Sequence, residues 1–472
     1  MKTAELIFIP SPGIGHLVST LEFAKLLIDR DDRISITVLV MKLPTTPHVD
    51  ACTKSIAAAS QSRIKLIDLP QVDPPPLEFI RRFPEYFITL FVESQVSNVR
   101  KVVSEIIVSH DDDDSVRVTG LVVDFFCVSM IDVASELSLN SYVYLTSNVG
   151  FLNFMLYLAT EHMISNSTEF ESSDSELLIP GFVNPVPVSV LPSCSFNSNG
   201  YTTLIKLARR FNEVNGIIVN TFSELEPFAF NLLSGGLNPP VFTVGPVVDV
   251  KGQANLDFDE AQSKKIMRWL DDQPESSVVF LCFGSKGSFS QPQVKEIAIG
   301  LELSEYNFLW CLRVSPPDND VSNQSINDDI FPEGFLERIR GRGMICDWAP
   351  QVDVLAHKAV GGFVSHCGWN SILESLWYGV PIVTWPLYAE QQLNAFKMVK
   401  ELGLAVEMRL DSRRDQSDLV MANEIAKAVR CVMDGDSETR RKVKEMAEIS
   451  RKSLMDGGSS FISIRQFIDL NF

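Results

Sequence analysis

The feature that most constrains this chain is a rhythm of strands and helices that runs through once and then starts again. Short β-branched runs alternate with helical patterns in ELIFIP, ISITVLV, IKLIDLP, GLVVDFF, SYVYLT, GIIVNT and VFTVGPV, and the pattern restarts at SVVFLCFG (277–284) with FLWCLR, MICDW, GGFVSHC, PIVTWP and LAVEMRL following. Such alternation predicts parallel strands joined by crossover helices. A restart predicts two doubly wound α/β sheets in series, and 472 residues is about twice the length at which one core stops growing. The polar stretch after Gly245-Pro246, with Gly252, Gln253 and Asn255, reads as a linker. We therefore expect a first domain over 1–248, a linker over 249–259 and a second domain over 260–455. A terminal helix over 456–472, entered through Gly457-Gly458, is expected to cross back to the first domain.

Composition excludes whole classes. Hydrophobic residues make up 45% and charged residues 21%, so the chain can bury large cores and is neither disordered nor fibrous. Lys and Arg number 41 against 60 Asp and Glu, a net charge of −19 that repels phosphodiester backbones and anionic lipid alike. Nucleic acid is not an expected partner. The eight cysteines form no CxxC pair, and the opening MKTAELIFIPSPG reads as a strand running into a glycine turn, without the marks of a signal peptide. A cytoplasmic location follows, with the glycosylation-type triplets at Asn166 and Asn323 silent. No apolar run reaches the length of a membrane span, Val149–Leu158 being flanked by Asn148, Glu161 and His162.

The densest chemistry lies between Trp348 and Gln391, in WAPQVDVLAHKAVGGFVSHCGWNSILESLWYGVPIVTWPLYAEQ. Strand GGFVSHC ends at Gly368, and Asn370-Ser371 then open a helix whose N–H groups and dipole suit an anion. Glu374 lies one turn on, on the same face as Asn370, where a carboxylate suits ribose hydroxyls. Trp348 beside Pro350 presents an indole for stacking on a base, and His357 ahead of Gly361-Gly362 presents a hydrogen-bond donor for phosphate. Glu390-Gln391 at a helix start suit sugar hydroxyls. Each alone has an ordinary structural reading as a cap, a core residue or a solvated charge. Their arrival together at strand C-termini reads as diphosphate first, ribose second. Ser365-His366-Cys367 alternates in a strand, so it is not expected to form a nucleophile–base pair.

In the first half, His16 follows the turn Gly13-Ile14-Gly15 directly after the first strand, which delivers an imidazole to a helix start. A neutral His is a suitable general base if something stabilises the imidazolium it becomes. Asp124, closing the apolar strand GLVVDFF, is the natural partner, because a carboxylate there is costly unless paired. Asp257-Phe258-Asp259 and Asp318-Asn319-Asp320 imitate a metal-binding DxD but sit in hydrophilic stretches, so no metal is expected. The Gly13–Gly15 turn lacks the third glycine of a dinucleotide fingerprint, which leaves a nicotinamide-dependent oxidoreductase as a poor alternative.

The Trp348–Gln391 block, together with ELIFIPSPGIGHL, DFFCVSMIDVASEL, SVVFLCFGSKGSF and the terminal GGSS helix, resembles the plant secondary-product UDP-glycosyltransferases, most closely the flavonoid and triterpenoid glucosyltransferase branch. The resemblance implies a GT-B fold, two facing Rossmann-like domains with the active site in the cleft between them. It implies inverting transfer of glucose from UDP-glucose to a hydroxyl of a lipophilic aglycone, giving a β-glucoside, by a monomer without metal. Trp348, Ala349 and Gln351 would hold uracil, Glu374 the ribose, and His357, Asn370, Ser371 and Ser285 the diphosphate. Trp369, Glu390, Gln391 and Thr146 would face the sugar, with His16 as base and Asp124 as its partner. The acceptor is expected against Phe87, Phe91, Phe125, Phe126, Phe151 and Tyr388, with loops 72–92 and 164–200 setting its identity. Lys286 departs from the uncharged residue common after Gly-Ser in relatives. The rival reading is a nucleotide-sugar-binding regulator with little turnover.

Overall fold

A computed structural model describes residues 3–43, 63–111, 116–165, 168–171, 173, 175–234, 239–250, 252, 260–314, 328–413 and 418–471. Most of the expected linker, both DxD look-alikes, Asn166 and Asn323 fall outside these residues. The chain packs as two compact units, one of Met1–Pro185, Cys194–Asp257 and Ser450–Phe472, the other of Val186–Ser193 and Phe258–Ile449.

The first unit is built on strands β1 (Thr3–Ile9), β2 (Ile34–Val40), β3 (Ile64–Asp68), β4 (Val116–Asp124), β5 (Asn140–Leu145), β6 (Gly216–Val219) and β7 (Val241–Thr243). They form one seven-stranded parallel sheet in the order β3-β2-β1-β4-β5-β6-β7. Central strands of such a sheet are covered on both faces, which is why Leu6, Ile7, Phe8 and Ile9 are all fully buried and the strand reads as a continuous apolar run. Helix α1 (Ile14–Arg30) follows β1, and α2 (Pro84–Ser94) follows β3.

The second unit repeats the plan with β8 (Val278–Cys282), β9 (Asn307–Cys311), β10 (Gly343–Cys346), β11 (Val360–Ser365), β12 (Ile382–Thr384) and β13 (Ala405–Val406), a six-stranded sheet in the order β10-β9-β8-β11-β12-β13. Helices α3 (Trp369–Tyr378) and α4 (Gln391–Phe396) leave the C-terminal ends of β11 and β12. In each sheet the chain first builds outward in one direction and then in the other, so a switch point lies between β1 and β4 and another between β8 and β11. Ligands of open parallel sheets gather at these places.

Two segments leave the domain to which sequence order would assign them. Helix α5 (Ser459–Asn471) packs on the first sheet, with Phe467 edge-on to Tyr142 at 4.9 Å and to Phe242 at 5.6 Å, and Arg30 stacks 4.1 Å over Phe461. Residues 186–193, expected in the first domain, belong to the second unit. The cause is Arg413, whose guanidinium donates to Ser189 O at 2.7 Å, Leu191 O at 2.9 Å and Ser193 Oγ at 2.8 Å. Among the described residues no helix is long and apolar enough to cross a membrane.

Candidate functional site

Three adjacent strand ends assemble the site on the first unit. After β1 the chain turns at Gly13, the N-cap of α1, and sets His16 in the helix's first turn. β4 ends on Asp124, and Thr146 follows β5. Asp124 Oδ2 lies 2.7 Å from His16 Nδ1 across 108 residues of sequence, and Asp124 Oδ1 accepts the N–H of Phe126 at 3.0 Å. Both carboxylate oxygens are engaged, which is what a wholly buried carboxylate requires; the His16 side chain keeps 29% exposure. With Nδ1–H donating to Asp124, the imidazole lone pair lies on Nε2. Thr146 Oγ1 sits 3.0 Å from the same Nδ1, so it braces the dyad.

The aromatic residues proposed as acceptor walls separate into two groups. Phe125 and Phe126 each place a ring centroid 5.9 Å from that of His16, and Phe151 stands edge-on to Phe125 at 6.0 Å. Phe87 and Phe91, on α2, are fully buried, at 1% and 0% exposure. Their rings face the interior because α2 is amphipathic and turns this side inward. Tyr388 packs against the core of the second unit, with its ring 6.2 Å from that of His366.

On the second unit, β8, β10, β11 and β12 deliver the expected donor residues at the same edge of one sheet. Gln351 is the organiser: its Nε2 donates to Ser371 Oγ at 2.8 Å and to Glu374 Oε2 at 2.6 Å, tying the turn after Trp348 to the first turns of α3. Trp348 is half-buried beside the buried Ala349, and its carbonyl accepts from Gln262 at 2.7 Å. α3 starts at Gly368 with no side-chain cap, pointing its first N–H groups outward, an arrangement that suits an anion. The Trp369 indole is buried, so the backbone is what this residue presents. Gln391 is also buried, its amide oxygen accepting the N–H groups of Leu387 at 2.9 Å and Tyr388 at 3.0 Å, which fixes its NH₂ and the neighbouring Glu390. Ser285 and Lys286 are exposed in the turn after β8.

The two histidines of the block sit in different surroundings. His357 Nδ1 accepts the N–H of Ala359 at 3.2 Å, and its Nε2 faces Asp271 Oδ1 at 3.3 Å, so this ring secures the start of β11. His366 lies at the switch point instead. A Cβ at Gly284 would come within 2.5 Å of its Nε2, and one at Gly368 within 2.6 Å, so both turns close directly over the ring. Gly284 is also in the left-handed region, at φ +70°. Burial, and then the nearby Arg313 guanidinium, hold the His366 pKa down at about 4, which keeps the imidazole neutral. Arg313 in turn donates to the Gly284 carbonyl. Two non-glycine residues are strained into positive φ beside these turns, Cys367 at +63° and Ala389 at +56°. Asn394 on α4 holds the first of them, donating to the Cys367 carbonyl at 3.1 Å. Neither Asn394 nor Arg313 carries a signal in the sequence.

Comparison with known proteins identifies the family. The family model described as UDP-glucoronosyl and UDP-glucosyl transferase matches residues 239–450. UDP-glycosyltransferase 71K2 of Pyrus communis is 55% identical over 99% of this chain and 98% of its own length. Flavonol 3-O-glucosyltransferase UGT71C4 of Arabidopsis thaliana is 50% identical with the same coverage. The crystal structure of Medicago truncatula UGT71G1 complexed with UDP-glucose superposes with a TM-score of 0.90 at 51% identity, covering 99% of this chain and 98% of that one. The two parallel-sheet domains, the strand-end sites on each and this full-length similarity mean that the chain belongs to the plant family 1 UDP-glycosyltransferases, in the UGT71 group with the GT-B fold.

Proposed function

We propose that the protein transfers glucose from UDP-glucose to a hydroxyl of a lipophilic plant metabolite with inversion at the anomeric carbon, and that His16 is the general base. The observation that carries this reading is the 2.7 Å contact between His16 Nδ1 and the buried Asp124. It leaves Nε2 to take the acceptor's proton while the carboxylate balances the imidazolium that forms. The oxygen attacks the face of the sugar opposite the departing UDP, so an α-linked donor yields a β-glucoside. Phe125, Phe126 and Phe151 suit a flat, apolar acceptor beside His16. Flavonols are the first class to try, since a relative of 50% identity is named for that activity.

UDP leaves with extra negative charge, which fixed donors on the second domain are placed to meet. These are the N-terminus of α3, Ser371, Ser285 and the neutral His366. Among the described residues no cluster of His, Cys, Asp or Glu is placed to hold a metal ion. Because the fixed donors fill the place of a divalent ion, the reading expects transfer to continue in excess EDTA.

The test is a panel of flavonols, triterpenoids, coumarins and simple phenols offered with UDP-glucose, UDP-galactose and UDP-glucuronate, with products identified by mass and by anomeric proton coupling. A β-glucoside formed from UDP-glucose is expected. An α-product, or a better rate with another donor, overturns the corresponding part, and UDP binding without any transfer returns the regulator reading.

A further inference from the structure

Three cysteines end three adjacent strands of the second sheet. Cys282 closes β8, Cys311 closes β9 and Cys346 closes β10. Cys311 pairs in register with Cys346, and Leu281 with Trp310, so the three occupy one row and one face at the C-terminal edge. Cys311 Sγ lies 3.7 Å from Cys346 Sγ, and the Leu281–Trp310 pairing sets Cys282 beside Cys311 on the neighbouring strand. Cys311 is buried, while Cys282 and Cys346 are partly exposed. None of the three has a part in the transfer described above.

We propose that this row is a peroxide-responsive modification site in which Cys282 is the attacking sulfur and Cys311 the resolving one. The first step breaks the O–O bond of a hydroperoxide. The Cys282 thiolate takes one oxygen to become a sulfenic acid, and the remaining alkoxide or hydroxide leaves as alcohol or water after protonation. In the second step Cys311 attacks the Cys282 sulfur, a disulfide forms, and the sulfenic oxygen departs as water with the Cys311 proton. Two thiols are oxidised and one hydroperoxide is reduced.

The surroundings favour this division of roles. The Cys311 thiol, then the backbone N–H of Gly284, Arg313 and the N–H of Phe283 hold the Cys282 thiol below its ordinary range against the opposing effect of burial. Cys311 is pushed well above it by its two cysteine neighbours and by burial. Cys367, which burial pushes up to about 12, is inert by comparison. The row also abuts the donor site. Cys282 directly precedes the turn that carries Ser285 and closes over His366. Drawing the sulfur toward Cys311 shifts the residue from which that turn starts and so displaces the turn. The expected consequence is a fall of about tenfold in UDP affinity on oxidation, reversed by dithiothreitol; this part rests on the donor-site reading given above.

The experiment treats the full-length protein with a few equivalents of hydrogen peroxide, maps disulfides in non-reducing peptide digests and measures UDP affinity by calorimetry before and after. A Cys282–Cys311 disulfide, loss of UDP affinity and recovery with dithiothreitol are expected, and Cys282→Ser should be insensitive to peroxide. Oxidation confined to the exposed Cys431, a Cys311–Cys346 disulfide that forms equally in Cys282→Ser, or a Cys282–Cys311 disulfide with unchanged UDP affinity overturns the proposal. The peptide map judges the thiol site independently of UDP. If the reduced protein fails to bind UDP, it is the donor-site reading that fails.

Discussion

Each domain places a histidine at the switch point of its sheet, and the two are made into different reagents by what surrounds them. His16, between β1 and β4, has a buried carboxylate 2.7 Å away and keeps partial exposure, so a proton it accepts is stabilised. His366, between β8 and β11, is sealed under two glycine turns with a guanidinium nearby, so it stays neutral and can serve only as a hydrogen-bonding group. The same residue type at the same topological position is thus suited to the proposed base in one domain and to the proposed anion site in the other. Desolvation and the sign of the nearest charge decide which.

The largest expected effect comes from removing the base. His16→Ala should lower turnover by roughly 10³-fold, within the range of general base catalysis, and Asp124→Asn by roughly 10²-fold through loss of the favoured tautomer. UDP affinity should stay within about twofold in both, because the residues proposed to hold diphosphate and uracil lie on the other unit. Calorimetry with UDP beside initial rates checks this. Near-normal turnover of His16→Ala on an acceptor whose hydroxyl is not already acidic would break the comparison at its first member.

The second member is tested by Gly284→Ala. A left-handed backbone and a Cβ forced to 2.5 Å from the His366 ring together cost about 1–3 kcal/mol, so UDP affinity should fall roughly 10- to 100-fold. Unchanged UDP affinity with reduced turnover would mean that the second switch point is not where the diphosphate sits. Stability adds a sharper measure. The His366 pKa of about 4 lies below its ordinary value of 6.5, so between these two values the unfolded chain binds a proton that the folded chain does not. Its contribution is complete above about pH 6.5 and is lost as pH falls toward 4, by about 2 kcal/mol between pH 7 and 5. Urea midpoints for the parent and for His366→Asn across that range should converge as pH falls; parallel curves would show that His366 is not held neutral.

How far the sequence disclosed all this depends on the span of the contact involved. The Trp348–Gln391 block was legible because its residues are near neighbours in sequence, each at a strand end that the apolar runs announce. The His16–Asp124 dyad was legible across 108 residues because each member carries its own local anomaly, a histidine after a glycine turn and an acid closing an apolar strand. His366 was hidden by a sound rule applied one residue too far. Side chains alternate only within a strand, β11 ends at Ser365, and the left-handed Cys367 then redirects the chain. The partner of His357 was hidden for the opposite reason, since the Asp271 that engages it is 86 residues away in a helix. Arg413 and the segment 186–193 lie farther apart still, and nothing in either stretch names the other.

The smallest effect expected is also the one that asks whether the block acts as a unit. Gln351 touches Ser371 at 2.8 Å and Glu374 at 2.6 Å with a single NH₂ group, so it holds the residues proposed for diphosphate and for ribose at once. One of these hydrogen bonds is neutral and the other meets a carboxylate, which together suggests about 1–2 kcal/mol for their loss on a part-buried surface. Gln351→Met keeps the side chain's length and removes both bonds. UDP affinity should fall about tenfold, with turnover at saturating donor nearly unchanged, because the interaction is the same in the ground and transition states. A Gln351→Met, Glu374→Gln double-mutant cycle completes the test. A coupling above about 0.5 kcal/mol is expected if Gln351 acts by orienting Glu374, whereas additive losses would mean that each residue meets UDP independently and that the bridge between them is incidental to binding.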